Sequence, residues 1–290
     1  MAKIERMEVG LMFWGEHRPQ QTLRAIKSLG MRCGHLGFAG HLALDHDIAT
    51  QWRKTADAED FGITAVFAAF EGESYADVAT VQRTVGYVPP GTRQARETRS
   101  KAVVDAAAAM GVPIFACHIG FVPEDHSDPD YIAVRDMVRR VCDHAAQYNI
   151  VFALETGQES AEALTHFIEG VERRNLKVNF DPANMILYGT AKPAPALETL
   201  APHVVSVHCK DGTWPPKDKP GSLGTEMPLG EGEVDIPLFI NTLKKIGYTG
   251  PLTIEREVSL DQDMDDRHKE GISHGEDIRA AVSLLNRLRS

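Results

Sequence analysis

The stretch VFALETG at 151–157 is an apolar run that ends on a carboxylate, Glu155, and breaks at Gly157. Three later stretches repeat the design, each an apolar run stopping at an acid or a histidine: VNFDPAN at 178–184, VVSVHCKDG at 204–212 and LTIERE at 252–257. Short apolar runs closed by turn residues are the pattern of strands covered on both faces, which is how parallel sheets use them.

Outward from these four, strand-like and helix-like segments alternate along the whole chain. Strands are expected at 7–14, 32–38, 63–70, 112–119, 151–155, 176–181, 204–209 and 252–256. Helices are expected at 21–29, about 47–60, 98–110, 130–148, about 159–173, near 195–200, 235–246 and 273–288. The clearest stripe is in 130–148, where Val134, Met137, Val138, Val141 and Ala145 recur at helical spacing. Asp235 is placed to cap the helix that carries Ile236, Ile240, Leu243 and Ile246, and Ser273 with Glu276 forms a capping box for the last helix. A long connection with Gly and Pro lies near 71–93, and no composition break marks an interdomain linker. Alternation of this kind calls for parallel strands joined by crossover helices. No GxGxxG follows the first strand and no P-loop occurs, which argues against an open doubly wound sheet. Eight units in 290 residues predict an α/β fold of the (β/α)8 TIM barrel type, a single domain over residues 1–290.

Composition narrows the partners. A formal net charge of −10 argues against a nucleic-acid or acidic-membrane surface, because phosphate selects basic stripes. A small-molecule substrate is expected, with no nucleic acid and no membrane. The first twenty residues contain no apolar run of signal-peptide length, so a cytoplasmic location is expected. The four cysteines, Cys33, Cys117, Cys142 and Cys209, include no CxxC pair and read as free buried thiols.

In a barrel, reactive groups gather at the C-terminal ends of strands. Glu155, Asp181, His208 and Glu255 each end one of the four runs, at intervals of 26, 27 and 47 residues, so successive strands bring them together. Three carboxylates and an imidazole crowded into one pocket would be buried at a cost of several kcal/mol if left uncompensated, and a divalent cation removes the difficulty. Hard oxygen ligands with one nitrogen suit Mn2+ best, with Mg2+ or Co2+ also compatible. Such an ion polarises a carbonyl and acidifies the neighbouring C–H. Glu155 and Glu255, on non-adjacent strands, can face opposite sides of one carbon, one removing a proton and the other returning it.

Other residues carry two readings each. His118 either bonds a substrate hydroxyl or is a satisfied core histidine. Lys210 and Glu257 follow His208 and Glu255 by two residues and point the same way; Lys210 either meets the substrate or solvent. Arg256 is expected to face outward in a structural role. Trp14 is either a sugar-stacking wall or a plug in the barrel mouth. The connection 211–234 exceeds an ordinary β/α turn and reads as a lid. The acidic run DQDMDD at 261–266 reads as a solvated face.

The segments HIG at 118–120, ALETG at 153–157, NFDPAN at 179–184, VHCKD at 207–211, PLGEGEVD at 228–235 and IERE at 254–257 resemble the xylose-isomerase-like barrels. Within these the likeness is to the sugar isomerase/epimerase group of ketose 3-epimerases, hydroxypyruvate isomerase and inosose dehydratase. The resemblance implies a metal held by Glu155, Asp181, His208 and Glu255, the two glutamates as acid/base pair, and a keto-sugar or related polyol ketone bound through adjacent oxygens. It also implies a homodimer or homotetramer. One residue departs: Asn184 stands where ketose 3-epimerases commonly carry a histidine, which keeps keto-glycosides and inososes open as substrates and makes Asn184 a candidate substrate contact. A dehydratase or lyase sharing the enediolate chemistry is the alternative. An abasic-site endonuclease from the same superfamily is remote, because Asn184 and the absence of an Asp-x-His pair in 211–234 remove ligands that it needs.

Overall fold

Alternation along the strands decides which side chains fill the barrel and which meet the helices. The computed structural model describes residues 4–15, 18–44, 46–257 and 274–290. Its elements run β1 (Val9–Trp14), α1 (Pro19–Ser28), β2 (Cys33–Phe38), α2 (His46–Ala58), β3 (Gly62–Ala68), α3 (Val78–Thr84), α4 (Arg93–Met110), β4 (Ile114–Cys117) and α5 (Pro129–Ala146). Then come β5 (Val151–Glu155), α6 (Ala161–Val171), β6 (Leu176–Phe180), α7 (Pro182–Tyr188), α8 (Pro193–Leu200), β7 (Val204–Cys209), β8 (Asp211–Gly212), β9 (Glu226–Met227), α9 (Ile236–Lys245), β10 (Leu252–Ile254) and α10 (His274–Arg289).

Eight parallel strands close in the order β1-β10-β7-β6-β5-β4-β3-β2, a TIM barrel. The first and last strands seal it, with Val9 opposite Leu252 and Leu11 opposite Ile254. Met12, Ala65, Phe67, Ala116 and Ala153 pack together as one small cluster inside it. Their chain neighbours, among them Phe13, Val66, Phe115, Phe152 and Leu154, join the much larger cluster formed with the helices. All four cysteines are buried and free. Burial pushes the Cys33 and Cys142 thiols up to about 12, which keeps them protonated at neutral pH.

Helix starts follow local chemistry. Asp77, Asp128, Ser160, Asp181 and Asp235 each accept a backbone N–H from the turn that follows. Two helices lie where none was expected: α3, inside the 71–93 connection, and α7, directly after NFD. Seven residues each is too short for a periodic stripe, and only the caps announce them. Ser273 of the expected capping box and the acidic run at 261–266 lie outside the described residues.

The 211–234 connection is a folded excursion. Asp211 and Gly212 pair antiparallel with Met227 and Glu226. The buried Asp211 carboxylate accepts from the backbone N–H of Gly212 (2.8 Å) and Val234 (3.0 Å) on Oδ1, and of Gly230 (2.9 Å) and Gly232 (3.1 Å) on Oδ2. Gly232 is required there, since a Cβ would sit 2.2 Å from Asp211 Oδ1. Further along, Gly221 O accepts from Val78 N at 3.0 Å, and Gly224 N donates to Leu187 O at 2.8 Å. The connection read as a lid is a loop clasped at its base. Asp211→Ala strands four donors and is expected to cost about 3 kcal/mol, with faster tryptic cleavage at the exposed Lys217. Urea unfolding and limited proteolysis check this, and unchanged trypsin resistance would show that the clasp does not hold the loop.

Candidate metal centre

Each of the four expected ligands owes its place to a strand. Glu155 closes β5, His208 lies within β7, and Asp181 and Glu255 follow β6 and β10 by one residue. Those strands are neighbours in the barrel. One ligand atom from each residue falls within 4.8 Å of every other. His208 Nδ1 faces all three acids, at 2.9 Å from Glu155 Oε1, 3.2 Å from Glu255 Oε2 and 3.8 Å from Asp181 Oδ2.

The Asp181 side chain divides its two oxygens. Oδ1 caps α7, accepting from Ala183 N at 2.8 Å and Asn184 N at 3.1 Å. Pro182 takes the next position, where a missing N–H costs nothing. Oδ2 is buried and has no hydrogen-bond partner. A carboxylate oxygen left so is costly, and a cation among the four side chains supplies its missing partner. The donor set therefore fits a hard divalent ion.

Charge follows from the crowding. Burial pushes the Asp181 carboxyl well above its ordinary value; Lys210 opposes the rise, and Glu255 and Glu155 add to it. Burial would raise Glu255 as well, but His208 and Lys210 beside it hold that carboxyl well below the usual range. Burial would lower His208 and Lys210, yet the surrounding carboxylates hold both well above their ordinary values. Glu255 is thus an anion at neutral pH.

Around this centre the remaining expected residues fall in different places. Lys210 is buried, which removes its solvent-facing reading; Nζ lies 3.2 Å from Glu255 Oε2, donates to Glu257 Oε1 and is 3.4 Å from Asn184 Oδ1. Asn184 reaches Glu155 Oε1 through Nδ2 at 3.5 Å. Gly157 makes room for it, since a Cβ there would stand 2.7 Å from Asn184 Cβ. His118 Nε2 is 3.4 Å from Glu155 Oε2, and its Nδ1 is 3.3 Å from Gln158 Nε2. Arg256 donates to Glu226 Oε1 at 2.7 Å, tying β9 to the end of β10. A cavity of about 330 Å³ opens above the centre, with Trp14, Tyr75, Tyr188 and Glu257 in its wall. Trp14 is 41% exposed, so it forms a wall of the mouth and does not plug it.

Sequence reasoning missed three polar neighbours. His35, in β2, places Nδ1 3.1 Å from His208 Nε2. Gln158 braces His118, and Asn179, two residues before Asp181 and so on the same strand face, accepts from Ser206 Oγ at 2.7 Å. For His35 and Asn179 the only signal is a polar residue inside a run that otherwise reads as buried strand.

The family model for the xylose isomerase-like TIM barrel matches residues 23–281. The chain belongs to that family. A solved xylose isomerase domain protein from Planctomyces limnophilus is 40% identical, with 98% of each chain covered and a TM-score of 0.87. D-Psicose 3-epimerase from Clostridium cellulolyticum H10, solved with D-tagatose, shares the fold at 15% identity and a TM-score of 0.70, over 98% of this chain and 100% of that one. The chain spans about half the length of the curated relatives it matches; one, an uncharacterised protein of Escherichia coli K12, is 26% identical over 160 residues, 52% of this chain and 47% of that one.

An ion that binds the folded chain alone stabilises it by about 2.7 kcal/mol at a hundredfold excess over Kd. Mn2+ is therefore expected to raise the melting temperature by several degrees, and Asp181→Asn, which turns an amide into the orphan position, to abolish the rise. Differential scanning calorimetry with and without Mn2+ tests this; an equal rise in the variant places the ion elsewhere.

Proposed function

We propose that the chain is a divalent-metal-dependent isomerase or epimerase of a keto-sugar or related polyol ketone, with Glu155 and Glu255 as its acid/base pair. The observation that carries this is the convergence of three carboxylates and one imidazole within 4.8 Å, beneath a cavity walled by Trp14, Tyr75 and Tyr188. Glu155, Asp181, His208 and Glu255 would hold the ion, for which Mn2+ suits the donors best. When bound, it supplies Lewis acidity, drawing charge onto the substrate carbonyl oxygen and loosening the adjacent C–H.

The protein's own groups do the rest. Glu255, kept ionised by His208 and Lys210, is the base that takes the proton. Glu155 stands across His208 from it, on a strand separated from β10 by β6 and β7, and protonates the flattened carbon from the other side. His118 and Asn184 touch Glu155 and hold its carboxylate in place. Lys210, wedged between Glu255 and Glu257, fixes the base and neutralises part of the charge around it. The aromatic walls cover the apolar face of a sugar ring, while Glu257 at the rim, 63% exposed, meets hydroxyl groups. The Clostridium epimerase solved with D-tagatose supports a ketose as the first substrate to try. Asn184 and the open mouth support widening the panel to inososes and 3-keto-glycosides.

Proton NMR in deuterium oxide with Mn2+ added then removed by chelation before acquisition reads the substrate and the carbon together. Glu155→Gln and Glu255→Gln are each expected to slow C–H exchange by roughly 10²- to 10⁴-fold while keeping the fold by circular dichroism. Full exchange in both variants, or activity untouched by exhaustive chelation, would refute the mechanism.

A further inference from the structure

His35 pairs with Met12 across β2 and β1 and is 1% exposed. The β2–β3 ladder shifts register between Gly34 and His35, pairing Gly34 with Ile63 and His35 with Ala65. Beside that slip the ring stacks on Phe67 at 5.4 Å and 22°. Phe67 also lies against His208, at 4.9 Å and 30°, so one aromatic ring orients both imidazoles. His35 Nδ1 is 3.1 Å from His208 Nε2, and His35 Nε2 is 3.1 Å from Thr253 Oγ1. Thr253 itself pairs with His208 across β10 and β7. The three side chains form a closed polar patch inside an apolar barrel.

We propose that His35 is a positioning residue that sets the tautomer of His208: its Nδ1 accepts the Nε2–H of His208, and its own Nε2–H is donated to Thr253 Oγ1. This rests on the metal reading of the centre. At 3.1 Å only one proton lies between the two rings. If it belonged to His35, neutral His208 would carry its proton on Nδ1, aimed into the three carboxylates and filling the place where an ion would bind. With the proton on His208 Nε2, Nδ1 presents a lone pair to that place. A histidine ligand usually gives its second N–H to a carboxylate or a backbone carbonyl. Here the acceptor is a neutral ring, which adds no further negative charge beneath Glu155, Asp181 and Glu255. Thr253 completes the relay, since a hydroxyl accepts one proton while keeping its own to donate.

The test uses Mn2+ alone, with free ion followed by electron paramagnetic resonance. His35→Phe keeps a flat ring on Phe67 but offers no acceptor, and is expected to weaken Mn2+ binding roughly 10- to 100-fold. His35→Gln restores an amide oxygen and is expected to recover most of the loss. Equal losses in both variants would mean packing alone and overturn the proposal, as would His35→Phe binding within twofold of the parent. Should neither variant fold, the parent decides: histidine ring ¹H–¹⁵N correlations with Mg2+ bound are expected to place the proton on Nε2 of both His208 and His35, and an Nδ1–H on His35 overturns it. A parent chain that binds neither ion brings down the metal reading and this inference together, whereas tight binding indifferent to His35 brings down only the inference.

Discussion

Three carboxylates held within 4.8 Å of one another and of an imidazole are the constraint around which the barrel interior is arranged. Two like charges about 4 Å apart repel by about 4 kcal/mol at an effective dielectric of 20, so three such pairs rival the whole stability of an ordinary domain, about 5–15 kcal/mol. The chain answers with cations at both sides. Lys210 is buried against Glu255, and His208 sits between Glu155 and Glu255. With a divalent ion among the ligands, three negative charges meet two from the ion and one from Lys210, and the imidazole is free to be neutral. Removing the ion shifts that burden to His208, whose proton then becomes the substitute countercharge.

The scaffold keeps such a centre affordable by separating its layers. Residues facing the helices are apolar almost throughout, so burial of that face stabilises the barrel independently of what happens inside. The interior is filled by small or flat side chains, Ala65, Ala116, Ala153 and Phe67, below the ligands. Above them the strands end, and Glu155, Asp181, His208 and Glu255 each stand within one residue of such an end. The same alternation that buries Leu154 outside the barrel points Glu155 into the mouth.

Much of this was legible in the sequence, for an identifiable reason. Glu155, Asp181, His208 and Glu255 stand where apolar runs stop, and the period of the β/α units places those stops side by side. The eight strands follow from the same rhythm. His35 and Asn179 escaped because a polar residue within a strand gives no hint of its face until the register is known, and register slips beside both: between Gly34 and His35, and between Val178 and Asn179. The short helices α3 and α7 escaped because one or two turns cannot establish a stripe. Lys210 pointed the expected way, but its partners come from β10 and α7, which no local pattern names. Asp211 is the plainest case: its function is to meet backbone N–H groups about twenty residues later, and backbone leaves no mark in composition.

That clasp has a bearing on how such a chain can change over time. Because one carboxylate gathers both ends of the excursion, at Gly212 and at Gly230 to Val234, insertions and replacements between them need not disturb β7 or α9. The tip of the excursion is thereby uncoupled from the four strand ends that carry Glu155, Asp181, His208 and Glu255. A lineage can lengthen or rewrite that tip while the strand ends beneath it stay where they are.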